Sequence, residues 1–131
     1  MNASLEWDRN QRATVSSVQE LDCLLDQLTR EAAHSYPFSV DLILDSGDAL
    51  SMVIGESITP VQFYSLTGHP LVVGCSGPWE GEEGDQLFVF DHRGSYSEIE
   101  KRYTIPIADA REATRRFLAT GERPHNVTWN A

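Results

Sequence analysis

The sequence predicts an α+β fold, a largely antiparallel sheet packed with an N-terminal and a C-terminal helix. Three observations predict it. Apolar residues recur at helical spacing near both ends of the chain, β-type runs separated by short polar turns fill its middle, and Gly and Pro stand at the boundaries. With 131 residues, one domain spanning 1–131 can bury a core without disulfides or metals.

Residues 1–15 are polar, with Leu5, Trp7 and Val15 leaving room for a first strand. Ser17-Val18-Gln19-Glu20 reads as a capping box, the serine accepting from the first turn and the glutamate reaching back. Val18, Leu21, Leu24, Leu25, Leu28 and Ala32 then form one apolar stripe, with Asp22, Asp26, Gln27 and Arg30 on the other face. Tyr36-Pro37 closes this helix. From Phe38 to Thr104 the period changes. Phe38–Leu44, Ala49–Ile54, Val61–Leu66, Leu71–Cys75 and Gln86–Phe90 read as strands, and Tyr96–Ile107 as one further extended stretch. Pro106 lacks the N–H that a ladder needs and ends the last strand. Asp109 serves as a cap or first-turn acid for a helix over Ala110–Ala119, whose apolar side is Ala113, Phe117 and Leu118. Arg111, Arg115 and Arg116 are expected to point outward. Gly121 suits the positive φ of a helix end, and Pro124 prevents the helix from resuming.

Charged residues make up 23% of the chain and apolar residues 40%, a composition that folds. The 20 acidic residues outnumber the 10 basic ones, for a net charge of −10. Such a surplus repels nucleic acid and anionic membranes, both of which need Lys and Arg, and attracts a basic partner. No apolar run approaches bilayer length, and the N-terminus lacks the charged and apolar regions of a signal peptide, so the expected location is cytoplasmic. Cys23 and Cys75 make no C-x-x-C pair. Cys23 is expected as a small buried thiol on the apolar side of the first helix, and no disulfide is expected.

The patterns of catalysis and cofactor binding are missing. His34, His69, His92 and His125 are isolated, which argues against a metal site. Cys75-Ser76-Gly77 follows a strand but lacks the G-x-S-x-G turn, and Gly81, Gly84 and Gly94 make no phosphate loop. Glu80, Glu82, Glu83 and Asp85 crowd one loop; paired carboxylates divide acid and base roles only when buried, and this Gly-containing run reads as solvated. In a binding protein, Trp79 beside those acids is an aromatic anchor ringed by negative charge, suited to a basic cleft. The other reading of Trp79 is a ring folded back over the sheet edge. The expected partner-binding residues are therefore Trp79, Glu80, Glu82, Glu83 and Asp85, with no cofactor, no metal and no catalytic residue.

The C-terminal segment carries a pattern. Ile105-Pro106-Ile107, a short Ala/Arg-rich helix, then Thr120-Gly121, Arg123-Pro124, Val127 and Trp129 in ordered spacing resemble the end of the immunity-protein family of bacterial polymorphic toxin systems. That family includes inhibitors of deaminase toxins, of the double-stranded-DNA deaminase immunity protein type. The match covers roughly the last 27 residues, and element order and length support it earlier. The resemblance implies an α+β fold, no enzymatic activity, and one-to-one binding that occludes a toxin's active site. It implies a cognate toxin domain as partner, with the chain a monomer or weak dimer when free. Nucleic-acid-modifying toxins are often basic, which matches the acidic surplus. Gly121, Arg123, Pro124 and Trp129 read as structural, fixing how the last helix stops and docks. Two other classes stay open from the residues alone: a small-ligand-binding or enzymatic domain with a pocket between sheet and helix, and an intracellular interaction module dimerising through a sheet edge.

Overall fold

A computed structural model of the protein describes residues 2–65, 72–75 and 85–130, the side chains of 72–75 and 130 excepted. The strands are β1 (Ala3–Trp7), β2 (Gln11–Val15), β3 (Phe38–Leu44), β4 (Ala49–Ile54), β5 (Ile58–Tyr64), β6 (Val72–Cys75), β7 (Leu87–His92), β8 (Ser95–Glu100), β9 (Thr104–Pro106) and β10 (Thr128–Asn130). Two helices, α1 (Val18–Ala33) and α2 (Ile107–Thr120), complete the α+β fold. The sheet order is β10-β6-β5-β4-β3-β1-β2, with antiparallel neighbours throughout; β9 pairs with the first residues of β5. The β7–β8 hairpin joins β3 through one parallel bridge, Phe38 opposite Asp91.

Alternation along the strands decides which face the helices cover. Leu5 of β1, Val40 and Leu42 of β3, and Leu50, Met52 and Ile54 of β4 point to one side and are almost wholly buried. Leu21, Leu25, Leu28 and Ala32 of α1 lie against that side, together with Ala110, Ala113, Phe117 and Leu118 of α2. Phe117 meets Phe63 of β5 edge to face, ring centroids 5.8 Å apart. Each of the larger side chains, the leucines, Val40, Met52, Ile54 and Phe117, contributes about 1.5–3 kcal/mol by leaving water, so this layer dominates stability. The opposite face carries Ser39, Asp41 and Ser51, and there the β7–β8 hairpin folds over, closing a cavity of about 150 Å³ beneath Phe90, His92 and Ile99.

The helix boundaries follow local chemistry. The Ser17 hydroxyl accepts from the Glu20 N–H at 3.1 Å, as a capping box requires, while the Glu20 carboxylate takes the Ser16 hydroxyl at 2.5 Å. α2 starts at Ile107, three residues before the expected Ala110, because Pro106 leads straight into the first turn and Asp109 sits within it as the first-turn acid. It ends where Gly121 turns left-handed at φ 74°, its N–H bonding the Phe117 carbonyl at 2.8 Å.

Four expectations change. A β-hairpin precedes α1, so the N-terminal helix is the third element, and β1 inserts beside β3. The stretch Tyr96–Ile107 is two strands split by a 3-10 turn at Lys101–Tyr103, which carries the chain from β8 across to β5. Cys23 is an exposed free thiol: two residues beyond Leu21 is about 200° around a helix, the far side of the buried stripe. Finally, Arg111 and Arg115 do not point outward but reach across to α1. Arg115 Nε bonds Asp22 at 2.9 Å, and Arg111 bonds Asp26 at 2.6 Å and the Asp22 carbonyl at 3.1 Å. Burial of Arg115 disfavours its charge, but the hydrogen bond and charge of Asp22 outweigh that and raise its pKa.

Candidate partner-binding surface

Of the residues expected to meet a partner, Trp79, Glu80, Glu82 and Glu83 lie outside the described residues. Asp85 is described, at the end of the loop, and its carboxylate is ion-paired with Arg102 of the 3-10 turn, which also holds Glu100 at 3.0 Å. Asp85 therefore ties the loop's end to the fold.

The C-terminal motif residues come together as a docked tail. Pro124 is buried, and its carbonyl accepts the Trp129 indole N–H at 2.7 Å. Trp129 leans on Phe63 with centroids 6.2 Å apart, and the Arg123 guanidinium lies over the indole at 6.0 Å. Val127 is buried, and the Asn126 side chain donates to the Asp109 carbonyl at 3.0 Å, stitching the tail to α2. β10 then adds to the free edge of β6. Gly121 and Pro124 redirect the chain, and Val127 and Trp129 hold it against the sheet.

On the sheet face away from the helices, Arg93 at the tip of the β7–β8 hairpin reaches over to Asp41 at 2.6 Å and Glu6 at 3.5 Å. Asp41 is only 4% exposed. Burial disfavours the Arg93 charge, but the hydrogen bond and charge of Asp41, with Glu6, outweigh it and raise the arginine's pKa. Nearby Tyr64 has its pKa raised by burial and by the Asp41 charge. Gly94 completes the hairpin turn, with positive φ and the Arg9 side chain packed where a Cβ would stand.

A concave site lies at the C-terminal end of α1. An open cleft of about 730 Å³ forms where the β1–β2 turn, the C-terminal turn of α1, the start of β3 and the edge of β7 meet. Its apolar walls are Trp7 and Phe38, half-buried against the core, with Tyr36 44% exposed. Its acids are Asp8, Glu31 and Asp91; Gln11, Gln27 and Ser35 complete the lining. The Asp91 carboxylate accepts the Gly94 N–H at 3.1 Å, and among the described residues no Arg or Lys forms an ion pair with Asp8, Glu31 or Asp91. Of the arginines close in sequence to these acids, Arg9 packs against Gly94, and Arg93 is held by Asp41 and Glu6. Sequence reading passed over this site because its residues come from four separate segments. One local signal was available: Glu31 sits in the last turn of α1, where the helix dipole favours a cation and disfavours a carboxylate.

Among the described residues no group of His, Cys, Asp and Glu is placed to hold a metal ion, and no helix is long and apolar enough to cross a membrane. No individual curated protein matches the chain. A family model described as Immunity protein Imm1 matches residues 9–131. That match runs from the β1–β2 turn through both helices to the docked tail, and the chain belongs to the Imm1 immunity-protein family.

Proposed function

We propose that this protein is a non-enzymatic inhibitor that binds a cognate antibacterial toxin one-to-one in the cytoplasm and neutralises it by covering its active site. The single observation that carries the reading is the family match over residues 9–131. The net charge of −10 supports a basic partner, and a basic surface is what an enzyme acting on nucleic acid needs. The target is therefore a nucleic-acid-modifying toxin domain, of deaminase type by the resemblance of the C-terminal segment. Trp79, Glu80, Glu82, Glu83 and Asp85 are proposed as one contact region, with Asp85 and Arg102 fixing the end of the loop.

The test is co-expression with the toxin encoded beside this gene. Cells carrying both survive, and cells carrying the toxin alone do not; equal killing with and without this chain contradicts the proposal. Purified toxin domain and inhibitor should form a nanomolar complex whose association slows as salt rises, because steering by exposed charge is screened beyond about 8–10 Å at physiological ionic strength.

A further inference from the structure

Three carboxylates, three aromatic rings and one helix C-terminus converge on the cleft between the β1–β2 turn and the end of α1. Several acids elsewhere in the fold are ion-paired: Asp22 and Asp26 with Arg111 and Arg115, Asp41 and Glu6 with Arg93, Asp85 with Arg102. Asp8, Glu31 and Asp91 line one cleft, and among the described residues none of them is ion-paired with an Arg or Lys, while the dipole of α1 adds negative potential at the same place. Like charges so placed repel one another, and Glu31 opposes its own helix. Local choices that work against stability gather at functional sites.

We infer that this cleft is a socket for an arginine side chain of the partner toxin, an inference that rests on the immunity reading. The chemistry selects the occupant. A guanidinium is planar, stacks on aromatic faces and offers several N–H donors in a fixed fork, and it loses less on leaving water than an ammonium does. Trp7, Tyr36 and Phe38 supply the faces, and Asp8, Glu31 and Asp91 supply acceptors around them. The volume of about 730 Å³ lies within the roughly 300–1,000 Å³ usual for ligand sites, so the side chain enters with part of its flanking backbone. An arginine seated among aromatic rings and carboxylates matches the residue types in which interface hot spots are enriched.

Two experiments test it. In the first, the free protein is titrated with N-acetyl-arginine methylamide and, separately, with the uncharged isostere N-acetyl-citrulline methylamide, while amide and indole resonances are followed by NMR. Saturable shifts confined to Trp7, Tyr36, Phe38 and their neighbours, with arginine and not citrulline, support the socket. Equal responses to both compounds, or shifts scattered over the surface, overturn it. In the second, the variant carrying Asp8→Asn and Glu31→Gln is compared with one carrying Glu56→Gln and Glu122→Gln, exposed acids outside the cleft that remove the same charge. The cleft variant should bind the toxin about tenfold more weakly than the control variant, a change of about 1.4 kcal/mol, with a melting temperature that holds or rises slightly. Equal weakening by both variants assigns the effect to net charge and overturns the socket. A toxin that ignores the wild-type chain contradicts the immunity reading instead, and the arginine titration then decides the cleft by itself.

Discussion

The two ends of α1 present carboxylates in opposite circumstances. Toward its N-terminal half, Asp22 and Asp26 face α2 and are held by Arg111 and Arg115. At its C-terminal end, Glu31 lines the cleft with Trp7, Tyr36, Asp8 and Asp91, and among the described residues no arginine is ion-paired with it. One helix thus carries acids that finish the fold and acids that leave it unfinished. A net charge of −10 alone does not single out a surface; the cleft is proposed from the acids and rings that line it. Acids already bonded to arginine have little attraction to offer a partner, whereas unpaired acids around exposed rings retain theirs.

The largest effect expected on the paired side comes from Arg93. Replacing it with Ala leaves the Asp41 carboxylate buried without its cation, and urea denaturation should register a loss of about 2–4 kcal/mol, somewhat under the value for a fully buried pair because Arg93 is 28% exposed. Adding Asp41→Asn in that background removes the stranded charge and should restore part of the stability. If Arg93→Ala alone is neutral, the pairing there is cosmetic and the contrast with the cleft fails. The seam between the helices should respond less: Arg115→Ala is expected to cost about 0.5–1 kcal/mol, since both partners are partly solvated.

The cleft should behave the other way. Glu31→Lys exchanges an acid for a base in the last turn of α1, where the dipole welcomes a cation, so the melting temperature should hold or rise slightly while toxin binding weakens. A clear fall in melting temperature would make Glu31 a structural residue and dissolve the distinction between the two ends.

The smallest effect is on pH dependence. Hydrogen bonding to Arg111 holds the Asp26 pKa below 3.8, and Arg116 and Arg115 hold that of Glu112 below 4.5. Both folded-state values are depressed, so their stabilisation is complete above those figures and disappears as the pH falls through the lower folded values. Thermal melts between pH 5 and pH 2 should therefore steepen at the acid end, and Glu112→Gln should flatten part of that slope.

What could be read from the residues was what depends on neighbours in the chain. The cap at Ser17, the stripe Leu21, Leu25, Leu28 and Ala32, the strand stop at Pro106 and the left-handed turn at Gly121 all rest on local stereochemistry. The strand Gln11–Val15 was missed because only Val15 of its five residues is buried, leaving little alternation to detect. Arg111 and Arg115 looked like outward helix charges because their partners, Asp22 and Asp26, are more than 80 residues away in sequence. The cleft was illegible for the same reason. Trp7, Glu31, Phe38 and Asp91 become neighbours only after β1 pairs with β3 and the β7–β8 hairpin docks on Phe38. The tail shows the reverse case: the spacing of Gly121, Pro124, Val127 and Trp129 pointed to an immunity-protein family, as the match over residues 9–131 supports, and the fold shows the tail closing onto Phe63 at the β10 edge of the sheet.

The most direct measurement is calorimetric titration of the wild-type chain into the toxin domain proposed as its partner. One-to-one binding in the nanomolar range is expected, accompanied by loss of the toxin's activity at equimolar ratio. Absence of binding, or a tight complex in which the toxin remains fully active, would contradict it.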